Sequence, residues 1–350
     1  MMVAAMIACL FLVSGASAQP PVWGTNIHFT HARSGEATQL ADAFRIARMD
    51  LNWAVVETTP SVYDFGAWDI LHDELAAVGV RAYFILDYGP SQAVASANNC
   101  STGHVGPATA PCVAAFARFA VAAMKHFETK TPPVVFELWN EPNTVFWGSQ
   151  HGNYTQYAAL AHAVAAARNA AGLSNTTTLV GPAAAGFGQN TTWAWLEGCG
   201  AANCFDAFDA ISVHAYRSSW EGPETILPDY ARLRRLVGGS DGNSSKPLIS
   251  GEWGWSTCDP SEYKVGEIKN CPLGNSAASE SGAAKFLARQ WLVNAYAGVI
   301  ISVYYDFLDD CTDGANRPSQ FRGTPDCNES TAFALLRPGC LTVAENFAKI

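Results

Sequence analysis

The chain has 350 residues, of which 49% are apolar and 15% are charged, and its formal net charge is -10. This length and apolar content suffice for one large buried core and require no second domain. A nucleic-acid partner is not expected, because binding phosphates needs a basic surface and the chain has no long run of lysine and arginine.

Residues 1–18 have the pattern of a secretory signal peptide. An apolar run ends in Ala16-Ser17-Ala18, which has the small residues of a cleavage site, directly before Gln19. The run has no positively charged start, so a membrane anchor is the alternative, although the run is short for a span. We expect a secreted, extracellular protein without stable membrane insertion, in which residues 19–350 form one domain.

Sequons and cysteines agree with this compartment. The six Asn-X-Ser/Thr sequons begin at Asn99, Asn153, Asn175, Asn190, Asn243 and Asn328. Plausible disulfide pairs are Cys100 with Cys112, Cys199 with Cys204, and Cys258 with Cys271, while Cys311, Cys327 and Cys340 share one bond and leave one thiol. The chain has no Cys-x2-Cys pair and its histidines are scattered, so neither a metal nor another cofactor is expected.

Short apolar runs rich in β-branched and aromatic residues alternate with alanine-rich amphipathic stretches. Strands are predicted at 22–29, 45–53, 80–88, 133–139, 177–181, 210–216, 247–252 and 299–306, with helices at 65–78, 112–128, 154–171, 228–237 and 279–297. Eight β-α units predict a (β/α)8 TIM barrel of the α/β class, with disulfides in its loops. The alternative is a doubly wound sheet, which would usually have a glycine-rich phosphate loop after its first strand, and residues 23–26 do not form one.

Two glutamates lie at the ends of predicted strands, where barrels place their catalytic groups. Glu141 follows the run Val-Val-Phe-Glu-Leu-Trp-Asn, and Pro142 after it cannot continue a strand ladder. Glu252 ends the run Pro-Leu-Ile-Ser-Gly-Glu and precedes Trp253 and Trp255, whose rings are suited to stacking on sugars. Hydrolysis of a glycosidic bond needs two facing carboxyl groups, and this pair is the candidate. Alternatively, either glutamate is an ordinary salt-bridged residue at a strand end.

The segments Trp139-Asn140-Glu141-Pro142-Asn143 and Gly251-Glu252-Trp253 resemble the acid/base and nucleophile motifs of clan A glycoside hydrolases. Family 39 is the most similar, and family 5 is the second choice. The resemblance covers the mature chain strand by strand, although only these two motifs are specific. It implies that Glu141 is the acid/base at the end of the fourth strand, that Glu252 is the nucleophile at the end of the seventh, and that the anomeric configuration is retained.

Further residues are expected in the same cleft. Arg48 resembles the clan's arginine that keeps the nucleophile ionised, with a surface ion pair to Asp50 as the alternative. Asn140 resembles the residue that binds the sugar 2-hydroxyl, with a turn asparagine as the alternative. His214 and Tyr216 lie on one side of the sixth strand, although both also suit barrel packing.

The remaining candidates lie at other strand ends. Clan members often have a tryptophan at the end of the eighth strand, whereas this chain has Tyr304-Tyr305-Asp306-Phe307. Tyr304 or Phe307 is therefore the candidate sugar platform, and Asp306 is a candidate polar contact. Further candidate lining residues are Asp87, Tyr88 and His28.

Together these features predict a secreted retaining glycoside hydrolase that acts on a β-linked oligosaccharide or polysaccharide. Two alternatives stay open at this point. One is a non-catalytic carbohydrate-binding barrel, and the other is an iduronidase-like enzyme that acts on uronic-acid glycans. The sequence makes no prediction of the oligomeric state.

Overall fold

The structure is a computed structural model that describes residues 20–148, 151–218, 220–238, 246–255 and 280–307. Its strands are β1 (Val22–Asn26), β2 (Ile46–Asn52), β3 (Arg81–Asp87), β4 (Val135–Leu138), β5 (Thr178–Ala184), β6 (Ala210–His214), β7 (Leu248–Trp253) and β8 (Val299–Tyr304). Neighbouring strands are parallel, and β1 pairs with β8 to close the barrel. The predicted (β/α)8 fold is confirmed, and each predicted strand overlaps an observed one.

The helices of the described residues surround this barrel. They are α1 (Glu36–Ala43), α2 (Trp53–Val56), α3 (Gly66–Ala77), α4 (Gln92–Asn98), α5 (Ala110–Phe127), α6 (Tyr154–Ala170), α7 (Asn190–Ala201), α8 (Leu227–Gly238) and α9 (Glu280–Tyr296). The five predicted helices are present, whereas α1, α2, α4 and α7 were not predicted. The first, second and fourth helices are short, and α7 contains two glycines, which lower helix propensity. Within the described ranges, none of these helices has both the length and the apolar character needed to cross a membrane.

Two predicted disulfides connect neighbouring loop and helix residues. Cys100 before α5 is bonded to Cys112 in its first turn, and Cys199 at the end of α7 is bonded to Cys204. Thr109 caps α5, because its hydroxyl accepts a hydrogen bond of 3.3 Å from the Cys112 amide. The predicted disulfide partners Cys258, Cys271, Cys311 and Cys327 lie outside the described residues.

The barrel interior is apolar below its mouth and polar at the carboxyl ends of the strands. The interior layer consists of Ile46, Tyr83, Val135, Val180, Ala210, Ile249, Ile301 and Val303. Side chains alternate between the two faces of a strand, so residues two positions further along also point inward. Arg48 on β2, Glu137 on β4 and Ser212 on β6 occupy these positions, and all three are buried. A charged cluster thus lies directly above the apolar layer.

Candidate active site

Glu141 and Glu252 approach each other across the mouth of the barrel. Glu252 is the fifth residue of β7 and is 8% exposed, while Glu141 lies three residues beyond the end of β4 and is partly exposed. One carboxylate oxygen of each glutamate and one ring nitrogen of His214 all lie within 4.8 Å of one another. The two strand ends therefore bring both carboxyl groups to one space.

The turn after β4 directs Glu141 into this space through an unusual backbone. Trp139 and Glu141 have φ angles of 64° and 47°, in the left-handed region that residues with a Cβ rarely adopt. The Trp139 ring is buried in the core, and its Nε1 donates a hydrogen bond of 2.8 Å to the Phe146 carbonyl. Core packing thus holds the strained turn, and the strain accompanies the placement of a functional carboxyl group.

Arg48 is the central residue of the cluster. Its guanidinium is 1% exposed and contacts five side chains, which are Glu137 (Nε to Oε2, 2.7 Å), Glu252 (Nη1 to Oε1, 2.5 Å), Asn26 (Nη1 to Oδ1, 2.9 Å), Asn140 (Nη2 to Oδ1, 2.9 Å) and His214 (Nη2 to Nε2, 3.3 Å). A buried guanidinium is tolerated only when charged or polar partners replace its water. The structure therefore places Arg48 in the barrel interior, away from the surface ion pair that was the alternative.

His214 and Tyr216 connect the two glutamates. His214 Nδ1 lies 2.8 Å from Glu141 Oε1 and 3.4 Å from Glu252 Oε2, while Tyr216 donates a hydrogen bond of 2.9 Å to Glu252 Oε2. Because carboxylates only accept hydrogen bonds, Nδ1 carries the hydrogen in the contact with Glu141. Nε2 faces the donor Arg48 and is the acceptor in the neutral ring. His214 therefore orients Glu141 while Tyr216 orients Glu252.

The charges in this cluster keep Glu252 ionised. Burial alone would raise the pKa of Glu252, but the charges of His214 and Arg48 and the hydrogen bonds from Tyr216 and Arg48 outweigh burial and hold that pKa below its ordinary value. Burial likewise would lower the pKa of His214, but the nearby Glu252 and Glu141 carboxylates raise it against the opposing charge of Arg48. The result is an ionised Glu252 whose oxygens are fixed in direction.

Asn140 lies beside the pair on the β4 side. Its Oδ1 accepts a hydrogen bond from Arg48, and its Nδ2 donates one of 3.0 Å to the Tyr88 hydroxyl. The side chain is partly exposed, so it is held in one direction while still open to the cleft. These contacts suit an asparagine that is positioned to bind a ligand, and they disfavour the alternative that Asn140 serves only to form a turn.

Three predicted aromatic contacts lie elsewhere. Trp253 and Trp255 are 0% and 2% exposed and pack in the core beside Tyr304, which is also buried, so their faces are covered by protein. The predictions that Trp253, Trp255 and Tyr304 line the sugar site are wrong for this reason. A register shift in β7 between Ser250 and Trp253 explains the outcome, because strict alternation from Ile249 would place Trp253 inside the barrel. After the shift Glu252 points inward and Trp253 points to the helices, where its Nε1 donates to Ser302.

Tyr305 is the aromatic residue that β8 presents at the mouth. It follows Ile301 and Val303 of the interior layer at intervals of two residues, it is partly exposed, and its ring lies 5.5 Å from that of His28. The prediction missed it by one residue, and the alternation of β8 is the signal that identifies it. Phe307, the other predicted platform, is buried in the core.

The remaining predicted residues lie at the mouth with different exposure. His28 is partly exposed, and its Nε2 lies 3.4 Å from Oδ2 of the buried Asp306. Asp87 is fully buried at the end of β3, next to Tyr88. Asp306 is buried, so it contacts His28 and does not itself face the cleft.

Sequence reasoning missed the polar groups beneath the glutamates. Glu137 is fully buried, and its carboxylate accepts hydrogen bonds from Arg48, from Tyr83 at 2.8 Å and from Ser212. Asn26 on β1 accepts from Arg48 on the opposite side. The available signal was the charge of Glu137 inside an otherwise apolar strand, since such a charge must be paired.

A cation is disfavoured at the glutamates although the spacing of three ligand atoms would suit one. Glu141, His214 and Glu252 meet within 4.8 Å. The Arg48 guanidinium already lies 2.5 Å from Glu252, and it would repel a metal ion at that position. Arg48 thus supplies the positive charge of the site.

Neither a family model nor a curated protein matches this sequence. Solved structures do match, among them a family 39 glycoside hydrolase from the gut symbiont Bacteroides cellulosilyticus WH2, with a TM-score of 0.65 and 19% identity over 91% of this chain and 60% of that chain. An endo-beta-1,4-xylanase of family 10 from Gloeophyllum trabeum has a TM-score of 0.54 and 15% identity over 83% and 86% of the two chains. A fungal beta-1,4-galactanase has a TM-score of 0.56 and 15% identity over 82% and 89%.

These comparisons establish a shared fold. The resemblance to glycoside hydrolase barrels, family 39 included, is confirmed at the level of architecture. The chain spans 60% of the length of the family 39 structure, so the activity of that whole protein does not transfer by similarity alone.

Proposed function

We propose that this protein is a retaining glycoside hydrolase that cleaves β-linked oligosaccharides or polysaccharides, with Glu141 as acid/base and Glu252 as nucleophile. The observation that supports this most directly is the separation of the two carboxyl groups, since one oxygen of Glu141 and one oxygen of Glu252 lie within 4.8 Å of each other. Carboxyl groups of retaining enzymes are about 5–5.5 Å apart, whereas those of inverting enzymes are about 6.5–9.5 Å apart and leave room for a water molecule. The spacing favours direct attack by Glu252.

The proposed first step forms a glycosyl-enzyme ester. Glu252, ionised by its neighbours, attacks the anomeric carbon while the bond to the leaving oxygen breaks, and Glu141 transfers its proton to that oxygen. In the second step Glu141 removes a proton from water, the water oxygen bonds to the anomeric carbon, and the ester bond to Glu252 breaks. His214 remains a hydrogen-bond donor to Glu141 throughout and keeps it directed at the leaving oxygen.

Replacement of each glutamate tests the assignment. Glu252→Gln is expected to lower kcat/KM on an aryl β-glycoside by at least about a thousandfold, because it removes the nucleophile while preserving the side-chain shape. Glu197→Gln is the matched control, since Glu197 is exposed on α7 and pairs with Arg232. Unchanged melting temperature and near-UV circular dichroism show that each variant folds. Full activity of the folded Glu252→Gln variant would reject the proposal. Absence of glycoside hydrolysis by the wild type would also reject it and would favour a non-catalytic binding barrel.

Azide rescue separates the two roles. In Glu252→Ala, azide replaces the nucleophile and is expected to give the α-glycosyl azide, whereas in Glu141→Ala it attacks the glycosyl-enzyme and gives the β-glycosyl azide. Proton NMR of the products distinguishes these anomers. If Glu252→Ala gave the β-glycosyl azide and Glu141→Ala gave the α-glycosyl azide, the roles of the two residues would be exchanged.

We also propose that the protein is exported and glycosylated, with residues 1–18 removed. The asparagines of four sequons, Asn99, Asn153, Asn175 and Asn190, are exposed, and two disulfides suit an oxidising compartment. Asn243 and Asn328 lie outside the described residues. Secreted protein is expected to begin at Gln19 and to lose mass on treatment with peptide N-glycosidase. A cytosolic product of unaltered mass would contradict this.

A further inference from the structure

Two more carboxyl groups lie at the barrel mouth, and the proposed mechanism does not use them. Asp50 is two residues beyond Arg48 on β2, and Asp87 is the last residue of β3, four residues beyond Tyr83 of the interior layer. The strand register pairs Asp50 with Ile85 and Asn52 with Asp87, so Asp87 lies two residues beyond the partner of Asp50 on the neighbouring strand. By alternation both side chains point into the barrel mouth, on the side of Arg48 away from the apolar layer.

These carboxyl groups lie on the neighbouring strands β2 and β3 and influence each other's ionisation. Burial, together with the charge of Asp50, raises the pKa of Asp87 well above its ordinary value, and burial raises that of Asp50 against the charges of His28 and Arg48. Burial of two neighbouring carboxyl groups accounts for both directions.

Asp87 lacks the hydrogen-bond donors that another buried carboxylate, Glu137, has. Asp87 is 0% exposed, yet no N–H or hydroxyl group of the described residues donates to either of its oxygens. Glu137, also fully buried, accepts from Arg48, Tyr83 and Ser212. Buried acceptors without donors destabilise a fold, so they are unusual unless a ligand supplies the donors. Asp50 is partly exposed and forms the open end of the pair.

Asn140 gives the direction from which a ligand would approach. Arg48 bonds to Asn140, and Asp50 lies two residues beyond Arg48 on the same face of β2, so Asn140 and Asp50 lie in the same part of the barrel mouth. Asn140 lies beside the glutamates, at the position expected to bind the 2-hydroxyl. The next hydroxyls around a sugar ring are those at C3 and C4, and they can donate hydrogen bonds to carboxylate oxygens.

We propose that Asp50 and Asp87 form the recognition site for the sugar bound at Glu252, accepting hydrogen bonds from its 3- and 4-hydroxyls and excluding uronic acids. This inference rests on the proposed hydrolase function. The negative charge of the pair lies near Glu252, and a sugar carboxylate would add a further anion to the same space. A neutral sugar with free hydroxyls at C3 and C4 supplies the missing donors without added charge.

The test compares Asp50→Asn and Asp87→Asn with Asp42→Asn, an exposed aspartate on α1. Each enzyme is assayed on one neutral aryl β-glycoside, on its 3-deoxy and 4-deoxy analogues and on the corresponding aryl uronide. Wild type is expected to lose about 100-fold or more in kcat/KM on at least one deoxy analogue, because buried acceptors then stay unpaired. In both site variants kcat/KM on the parent glycoside should fall about tenfold or more. The factor by which the deoxy analogue lowers kcat/KM, the deoxy penalty, should be about tenfold smaller than in wild type, while Asp42→Asn behaves as wild type.

Uronide hydrolysis gives the second readout. Wild type is expected to prefer the neutral glycoside by about 100-fold or more, and the site variants should narrow that preference. An unchanged deoxy penalty in both folded variants, or a wild-type preference for the uronide, would overturn the inference and leave the hydrolase proposal intact. If Asp87→Asn does not fold, Asp50→Asn alone decides, because Asp50 is partly exposed. A wild type that hydrolyses no glycoside rejects the proposed function itself.

Discussion

At the scale of single residues, one guanidinium organises the candidate site. Arg48 contacts two carboxylates that are themselves buried, and without it Glu137 and Glu252 would lose the cation that they share. An ion pair in a protein interior contributes little beyond an apolar equivalent, but loss of one partner is costly because the other charge stays buried. Arg48 therefore links stability and catalysis at one position.

Arg48→Gln is expected to reduce the free energy of unfolding by about 3–5 kcal/mol, since Glu137 and Glu252 lose their shared cation. Arg48→Lys should fall between this variant and wild type, because an ammonium keeps the charge but cannot reach all five partners. Urea unfolding followed by tryptophan fluorescence measures both changes. Arg118→Gln on the exposed side of α5 is the control and should change stability by less than about 1 kcal/mol. Equal stability of Arg48→Gln and wild type would contradict the paired-charge interpretation.

At the scale of elements, the close approach of β6 and β7 sets the position of the nucleophile. The register between these strands shifts between Val213 and His214, immediately before the pairing of His214 with Glu252. Gly251 lies at this shift, and a Cβ atom there would be 2.7 Å from Ser212 Oγ, 3.4 Å from Glu137 Oε1 and 3.5 Å from His214 Cδ2. Glycine permits the two strands to approach this closely.

Gly251→Ala is expected to cost about 1–3 kcal/mol of stability and to lower kcat, because the added methyl group displaces Ser212 and shifts Glu252. The nearest clashing atom is a side-chain oxygen, so Ser212→Ala in the same chain should restore part of the stability. Thermal unfolding of the two single variants and the double variant measures the coupling. Purely additive losses would show that the contact between β6 and β7 is not the cause.

At the scale of the whole molecule, buried titratable groups link stability to pH. Glu252 has a folded pKa below its ordinary 4.5, so its contribution is fully present above pH 4.5 and is lost as pH falls through the folded pKa. His214 has a folded pKa above 6.5, so its contribution is fully present below pH 6.5 and is lost as pH rises through that folded pKa. The pKa values of Asp50 and Asp87 are raised from 3.8, so ionisation of these two groups with rising pH also weakens the folded state.

The melting temperature is therefore expected to be highest between about pH 4.5 and 6.5 and to decline towards pH 8. Differential scanning calorimetry from pH 3.5 to 9 at constant ionic strength measures this profile. Asp87→Asn removes one of the groups whose ionisation opposes folding, so its decline above pH 6 should be shallower. A melting temperature that keeps rising to pH 8 would contradict the assignment of these shifts.

Local sequence determined much of this protein. Alternating apolar runs specified eight strands and a barrel, and the break at Pro142 marked the strand end that carries Glu141. Cysteines close in sequence allowed two disulfides to be predicted, since short loops bring their ends together. These features depend on residues that are close in sequence, so they can be predicted without knowledge of the tertiary structure.

Only the tertiary structure decided which side chains meet. Barrel closure brings Arg48 to Glu137 and Glu252, which are far apart in sequence, and the pairing of β2 with β3 places Asp50 and Asp87 on neighbouring strands. The direction of each strand-end side chain also depends on register, which is why Tyr305 is at the mouth while Tyr304 and Trp253 are in the core. The physical reason is that a one-residue change in register reverses the facing of every side chain on a strand, and register is set by packing between strands.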